Sequence, residues 1–246
     1  MLLQTYDRVR IVSLRSRTDR RRQMRRQIRT MGPIEGERLR FVDAYSISEP
    51  GPFRKIGSHG CFLTYLQILR QAAAENESVL ILQDDCKFLP HARHHFVLPC
   101  DVFYGSHSSD ADTIIGAHCM GFSAKAAQKA ATYLAAFYCS PAFKPDSYAA
   151  SEPGFDPLIR PPIDGAIVWF RRAHPELTTR FAMLAYQRSS RSDVTPGLLD
   201  RLPLVREAAG FARAALITRQ RPPAERAEAE PGRLRSASMT PDASQY

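Results

Sequence analysis

Two adjacent carboxylates follow an apolar segment of the chain, and their position suggests a site for a positive charge. The segment at residues 79–82 suits a buried strand, and Gln83, Asp84 and Asp85 come directly after it. Carboxylates at such a place suit Mg²⁺ or Mn²⁺, because these cations take few protein oxygens and complete their shell with water and substrate phosphates. The alternative is that the two acids are only the polar end of an ordinary strand.

The elements that must position these acids alternate between strands and helices. The apolar pattern predicts strands at residues 9–14, 38–45, 79–83, 112–122 (one or two) and 165–172, and helices at residues 19–31, 59–75 and 123–138. This order predicts an α/β fold, an α/β/α sandwich built on a largely parallel central sheet. In open sheets of this kind ligands gather at the carboxyl ends of the strands, where Asp84 and Asp85 would stand.

Polar residues at the start of each predicted helix can cap its free backbone N–H groups. Thr18 or Asp19 is expected to cap the first helix and Ser58 the second, and the third helix is expected to start at Ser123. These caps fix where the predicted helices begin.

The composition indicates one domain followed by a polar tail. The chain has 246 residues, 44% of them hydrophobic, which is enough for a substantial core. A domain is expected at residues 1–219, and residues 220–246, which lack apolar periodicity, are expected to be a disordered tail. No run approaches the ~18 apolar residues of a membrane span. The absence of a signal-peptide pattern, with five cysteines and no CxxC pair, predicts a cytoplasmic protein with reduced thiols.

The positive charge is concentrated at the start of the chain. Of a net charge of +9, the ten arginines of residues 1–30 account for most. One interpretation is a nucleic-acid-binding arm. The alternating pattern of residues 8–14 and the lack of aromatic residues among the arginines favour an ordered strand and helix whose face meets phosphates. A solvated basic face is a third interpretation.

Six segments in a fixed order resemble glycosyltransferase family 25, the lipopolysaccharide-type sugar transferases. The segments lie at residues 9–24, 40–46, 57–70, 79–88, 161–168 and 186–194, within about residues 8–195. The resemblance implies a GT-A-like fold, a nucleotide-sugar donor and inversion at the anomeric carbon. It also implies a divalent cation, Mn²⁺ or Mg²⁺, which bridges the donor's diphosphate and offsets the charge of the leaving nucleoside diphosphate.

The resemblance assigns residues to the donor side of the expected site. Asp85 and Asp84 match the acidic group that binds the cation, and Asp84 is also expected to line the donor site. Asp19 and Arg20 match an Asp-Arg pair of the family, and an arginine fork there can hold phosphate oxygens. Gln187 matches a glutamine of the late motif and is likewise expected to bind the donor.

The resemblance also assigns candidates for the base that activates the acceptor hydroxyl. Asp164, which precedes an apolar run, and Asp193, in the late motif, are the two expected catalytic carboxylates. For Asp193 a helix cap or a partner for Arg191 is an equal alternative. The chain departs from the family at Gln83, where a glutamate is usual, and at Thr64-Tyr65, where Ser-His is usual.

The expected function is therefore sugar transfer from a nucleotide donor to a hydroxyl of a saccharide or lipid-linked acceptor, as in cell-surface polysaccharide or lipopolysaccharide synthesis. A predicted helix at residues 197–219 could lie on an anionic membrane or pack on the domain's own core. One rival is an impaired family member that only binds a sugar nucleotide or a partner. The other rival is a basic nucleic-acid-binding protein, although no nucleic-acid partner is expected.

Overall fold

The fold is centred on a six-stranded sheet, whose order is β2-β1-β3-β8-β5-β9. The computed structural model describes residues 1–32, 36–110, 113–140, 156 and 158–188. Two further pairs of strands, β4 with β10 and β6 with β7, stand outside the main sheet. The strands are β1 (Arg8–Ser13), β2 (Leu39–Asp43), β3 (Val79–Gln83), β4 (Cys86–Phe88), β5 (Val102–Tyr104), β6 (Ser108–Asp110), β7 (Thr113–Ile115), β8 (Cys119–Phe122), β9 (Thr179–Phe181) and β10 (Ala185–Gln187).

Five strands of the main sheet run in one direction, and β8 alone runs against its neighbours. β1 pairs parallel with both β2 and β3, β5 pairs parallel with β9, and β8 is antiparallel to β3 and β5. The prediction of a largely parallel sheet in an α/β fold is confirmed. Because of these directions, the carboxyl ends of β1 and β3 lie at the same edge of the sheet as the amino end of β8.

Helices cover both faces of the sheet. The protein has two hydrophobic cores, one on each face of the sheet, and alternate side chains of β3 belong to different cores. Val79 and Ile81 lie in one core, and Leu80 and Leu82 lie in the other. Each such side chain contributes about 1.5–3 kcal/mol when it is fully buried. The helices are α1 (Leu2–Thr5), α2 (Thr18–Thr30), α3 (Ile56–Glu75), α4 (Ala124–Cys139) and α5 (Ile163–Ala173), with short 3₁₀ helices at Gly36–Arg38 and Pro90–His94.

The core around Val79 and Ile81 is formed with α3, α4 and α5. Phe62 of α3 and Phe137 of α4 are fully buried there, and their rings stack with centroids 5.6 Å apart. The opposite core is formed with α1 and α2, and it contains Leu2 and Met24. The sheet is thus held between two apolar layers, which fixes the edge where the candidate site lies.

The prediction of a strand at residues 165–172 is wrong, because this segment forms most of α5. Ile163, Ala166, Ile167 and Phe170 are buried, and their spacing is that of one helical face. A short continuous apolar run fits a buried strand and a buried helix equally well. The helical spacing becomes visible only when Ile163 is included with the run.

The predicted caps of the first two helices are wrong, whereas the third helix begins within one residue of its predicted start. Ser123 is the N-cap residue of α4, and its side chain accepts a hydrogen bond from the backbone N–H of Ala126. Ser58 does not cap α3, because this helix begins at Ile56 and Ser58 lies buried inside its first turn. At the start of α2, Arg17 is the N-cap residue and makes no side-chain cap.

Three other expectations concern membrane contact, thiols and the C-terminal part. Within the described residues no helix is both long and apolar enough to cross a bilayer. All five cysteines are free thiols. The predicted helix at residues 197–219, the tail at residues 220–246 and the candidate base Asp193 lie outside the described residues.

Candidate functional site

The candidate site lies at the edge where β1 and β3 end. Asp84 and Asp85 follow β3, Ser13 is the last residue of β1, and Arg20 lies in the first turn of α2. Gln187, the last residue of β10, reaches the same place. Arg20, Asp84, Asp85 and Gln187, which the sequence indicated from three separate segments, are therefore in contact.

Both oxygens of Asp84 are engaged by neighbouring side chains. Arg20 Nη1 donates to Asp84 Oδ1 at 2.9 Å, and Ser13 Oγ donates to Asp84 Oδ2 at 2.6 Å. The backbone N–H of Asp84 donates to Val12 O at 3.1 Å, which extends the β1–β3 pairing by one residue. Asp84 and Arg20 are 5% and 6% exposed, so this is a buried, hydrogen-bonded ion pair.

Asp85 lies against a different set of partners. Gln187 Nε2 donates to Asp85 Oδ2 at 3.2 Å, and Arg20 Nη1 lies 3.7 Å from the same oxygen. The other oxygen, Oδ1, is 3.6 Å from His118 Nδ1, a distance longer than a hydrogen bond. Asp85 Oδ1 is buried and makes no hydrogen bond within the part of the chain that the structure describes. A buried carboxylate oxygen in this state is unusual and indicates a place for a further donor.

The two neighbouring carboxylates have pKa values shifted in opposite directions. Burial raises the pKa of Asp84, and the hydrogen bond from Ser13 and the charge of Arg20 offset this only in part. Burial also acts on Asp85, but there His118, Arg20 and Gln187 together outweigh it and lower the pKa. Asp85 is therefore the more strongly ionised of the two.

His118 is a residue of the site that the sequence did not indicate. Its Nδ1 lies 3.0 Å from Gln83 Oε1 and 3.6 Å from Asp85 Oδ1. Both are acceptors when Asp85 is ionised, so Nδ1 carries the hydrogen and donates. The sequence signal was weak, because His118 comes directly before a strand, whereas ligand-binding residues of open α/β sheets are expected after strands.

Gln83, Thr64 and Tyr65, the residues at which the chain departs from the family pattern, each contact other groups of the protein. Gln83 accepts from His118 through its amide oxygen, and its Nε2 lies 3.8 Å from Cys61 Sγ. Tyr65 is fully buried, and its hydroxyl donates to the backbone oxygen of Ala117. Thr64 Oγ1 donates to Gly60 O at 2.7 Å. These side chains thus fit their surroundings in this chain.

Asp164 lies in the first turn of α5 and is half-buried. Its Oδ1 accepts a hydrogen bond of 3.0 Å from the backbone N–H of Gly165. Burial, and after it the charges of Asp164, Asp85 and Asp84, raise the pKa of Cys61 to about 12. Of the three carboxylates, Asp164 acts most strongly on this thiol.

Asp19 is not brought into this cluster. It is exposed, and its carboxylate accepts from Arg17 Nε at 3.1 Å. The hydrogen bonds from Arg17, opposed by burial, lower the pKa of Asp19. The structure therefore separates the two members of the predicted Asp-Arg pair, with only Arg20 at the carboxylates.

Several of the N-terminal arginines are engaged within the protein. Arg8 pairs with Glu75 and Glu77 of the segment that leads into β3. Arg10 is 4% exposed and donates to the backbone oxygen of Arg38 at 2.9 Å. Arg21 pairs with Asp43 at the end of β2. These pairings leave fewer of the arginines for phosphates than the sequence suggested.

Within the described residues, the site offers a divalent cation one carboxylate oxygen that makes no hydrogen bond. Both oxygens of Asp84 are hydrogen-bonded, and one oxygen of Asp85 accepts from Gln187. Asp85 Oδ1 is left as one carboxylate ligand, with His118 nearby. In the described part of the chain, no group of three or more His, Cys, Asp and Glu side chains is arranged to hold a metal ion. The positive charge that faces the carboxylates is the guanidinium of Arg20.

Comparison with known proteins adds no assignment. No model of a known protein family matches the chain, and no curated protein matches it. A functional conclusion therefore depends on the order of the sequence segments and on the side chains that meet at this edge.

Proposed function

We propose that the protein is a nucleotide-sugar-dependent glycosyltransferase, similar to family 25, with a GT-A-like form of its α/β fold. It transfers a sugar from the nucleotide donor to a hydroxyl of a saccharide or lipid-linked acceptor, with inversion. The reaction belongs to the synthesis of cell-surface polysaccharide or lipopolysaccharide. It takes place in the cytoplasm, where the enzyme meets its acceptor at the inner face of the membrane.

The observation that carries this proposal is the meeting of side chains from separate family-like segments. Arg20, the Asp84–Asp85 pair and Gln187 come from three of the six segments and are joined by hydrogen bonds and ion pairs. Asp164 belongs to a fourth segment, and its charge acts on Cys61, whose Sγ lies 3.8 Å from Gln83 Nε2. Ligand sites of open α/β sheets form at this edge, which supports a shared binding role for these residues.

On the donor side, Arg20 and Gln187 are proposed to orient the nucleotide sugar. The charge of Arg20 offsets negative charge that develops on the leaving nucleoside diphosphate. Gln187 is held by Asp85, so the amide is fixed in orientation before the donor binds. Such prior orientation lowers the entropic cost of reaching the reactive geometry.

On the acceptor side, Asp164 is proposed to act as the general base. Its carboxylate takes the proton of the acceptor hydroxyl while the oxygen attacks the anomeric carbon, and the bond from that carbon to the diphosphate breaks. Positioned bases of this kind contribute about 10²–10⁴-fold to the rate.

A binding module without catalysis is the second candidate, and one observation favours it. Gln83 stands where the family has a glutamate, and its amide pairs with His118. An amide in place of a carboxylate removes one negative charge from the site. If this loss abolishes transfer, the protein would bind the sugar nucleotide and not turn it over.

The test of the proposed function is a thermal-shift panel of common nucleotide sugars with the full chain. A ligand that binds only the folded state raises its stability by about 2.7 kcal/mol at 100 times its Kd. One donor is expected to raise the melting temperature of the wild type and of Glu176→Gln, an exposed control. The shift should be lost in Asp85→Ala. The absence of a shift with every donor would contradict the proposal.

Transfer itself needs a second readout. Release of nucleoside diphosphate from the donor that binds, with and without oligosaccharide acceptors, separates the enzyme from the binding module. Binding together with release supports the enzyme. Binding without release, at every acceptor tested, would support the module.

A further inference from the structure

The carboxylate pair already faces a buried cation that belongs to the protein. Arg20 Nη1 lies 2.9 Å from Asp84 Oδ1 and 3.7 Å from Asp85 Oδ2. The side chains of all three residues are less than a tenth exposed. One guanidinium therefore lies between the two acids and is shielded from solvent, so its attraction to them is little weakened by salt.

A divalent cation held by both carboxylates would have to displace a partner of Asp84. Mg²⁺ requires near-octahedral oxygen ligands at about 2.0–2.1 Å. Asp84 would have to release Arg20 or Ser13, and both of its hydrogen bonds are short. The guanidinium would then be a buried cation next to a second cation, which costs several kcal/mol. Competition between Arg20 and a metal therefore favours Arg20.

We propose that Arg20 takes the place of a divalent cation in this protein, so that the Asp84–Asp85 pair binds no metal while Arg20 is present. Arg20 is part of the chain itself, so this substitution is permanent and needs no metal supply. Without Arg20, two buried carboxylates would repel a diphosphate, and a metal would be needed between them. Arg20 supplies this positive charge and so reduces the need for a metal.

The consequence for the donor rests on the proposed function. A nucleotide sugar would bind equally well in excess EDTA and in millimolar Mn²⁺. The metal would have no place at the carboxylates in either condition. The part of the proposal that concerns the metal alone does not depend on any donor or on any activity.

The experiment is a titration of the full-length protein with Mn²⁺, in which the electron paramagnetic resonance signal measures free Mn²⁺. Five proteins are compared: wild type, Arg20→Gln, Arg22→Gln, Asp85→Asn and the double variant Arg20→Gln/Asp85→Asn. Arg22 lies on the same helix, exposed, so its variant removes the same charge without opening the carboxylates. Circular dichroism establishes that each protein is folded.

Arg20→Gln is expected to bind one Mn²⁺ at least about tenfold more tightly than the wild type. Arg22→Gln should resemble the wild type, and the double variant should lose the gained site. Mn²⁺ should also raise the melting temperature of Arg20→Gln alone. Tight stoichiometric binding by the wild type that Asp85→Asn abolishes would overturn the proposal, and so would a folded Arg20→Gln that gains no affinity.

The wild-type titration decides the matter if Arg20→Gln does not fold. Failure of every nucleotide sugar to bind would contradict the proposed function and leave the Mn²⁺ comparison unchanged. Conversely, a donor that binds only with Mn²⁺ would support a glycosyltransferase and overturn the role given to Arg20.

Discussion

Arg20 of α2 and Asp84 after β3 form a buried ion pair with an Nη1 to Oδ1 distance of 2.9 Å. The pair joins the first turn of a helix to the end of a strand 64 positions further along the chain. Ser13 completes the arrangement from the end of β1, which precedes α2 in the chain. The residues expected to bind a ligand are thus also part of what holds this edge of the sheet together.

Replacing Arg20 by methionine should destabilise the protein strongly. The change leaves two carboxylates buried without their cation, which typically costs about 3–5 kcal/mol. The free energy of unfolding is measured by urea denaturation at neutral pH. Arg22→Met, at an exposed position of the same helix, should change it by less than about 0.5 kcal/mol. Equal effects of the two substitutions would show that the ion pair contributes little.

Asp85→Asn should cost more stability at neutral pH than in acid. The pKa of Asp85 is lowered in the folded state from its usual 3.8, so the unfolded chain binds the proton more readily. Its contribution is fully present above the unfolded pKa and is lost as the pH falls through the folded pKa. Urea denaturation of wild type and variant from about pH 3 to about pH 6 measures the difference between their free energies of unfolding. A difference that grows toward acid would contradict this sign.

Asp84→Asn should show the opposite dependence on pH. Burial raises the folded-state pKa of Asp84 above 3.8, so the folded protein binds this proton more readily. The contribution of Asp84 is fully present below the unfolded pKa and is lost as the pH rises through the folded pKa. The stability difference between wild type and Asp84→Asn should therefore shrink as the pH rises. Parallel curves for the Asp84 and Asp85 variants would rule out the proposed environments.

Asp164→Asn should abolish transfer and leave donor binding intact. The amide keeps the size of the side chain but cannot take a proton, so the turnover rate should fall about 10²–10⁴-fold. The melting-temperature shift with the nucleotide sugar should remain. Glu176→Gln, which removes an exposed partner of Lys129 on the surface, is the control for transfer. Loss of the donor shift in Asp164→Asn would assign this residue to binding.

Gly60→Ala should destabilise the protein although Gly60 lies inside α3. Alanine is the better helix former by about 1 kcal/mol, but its Cβ would collide with the backbone oxygen of Tyr45. Overpacking against a backbone atom costs about 1–3 kcal/mol, so the collision should win. Urea denaturation measures the sign. A more stable variant would show that the segment after β2 can move away from the helix.

The sequence was sufficient for the elements whose signals are local. The strand before Asp84 and the start of a helix at Ser123 each follow from a few neighbouring residues, and the structure has both within one residue of their predicted positions. The segment at residues 165–172 was not, because a run of eight mostly apolar residues carries no period of its own. That this segment is a helix depends on its packing against α3 and α4, which lie elsewhere in the sequence.

The candidate site was predictable in part for the same reason. The acids after β3 were found because parallel strands place their carboxyl ends together. His118 was missed because it precedes β8, which runs against its neighbours. The pairing of Arg20 with Asp84 was also missed. Asp84 was expected to bind a metal and Arg20 a phosphate. Only the tertiary structure shows that these two side chains form an ion pair.

The position of β1 has a consequence for how the protein reaches this structure. β1 lies between β2 and β3, and its pairing with β3 joins segments about seventy residues apart, a contact that forms slowly because a long loop must close first. Arg20 meets Asp84 only in that same event. We therefore expect the centre of the sheet and the carboxylate cluster to become protected from hydrogen exchange together, as one cooperative unit of folding.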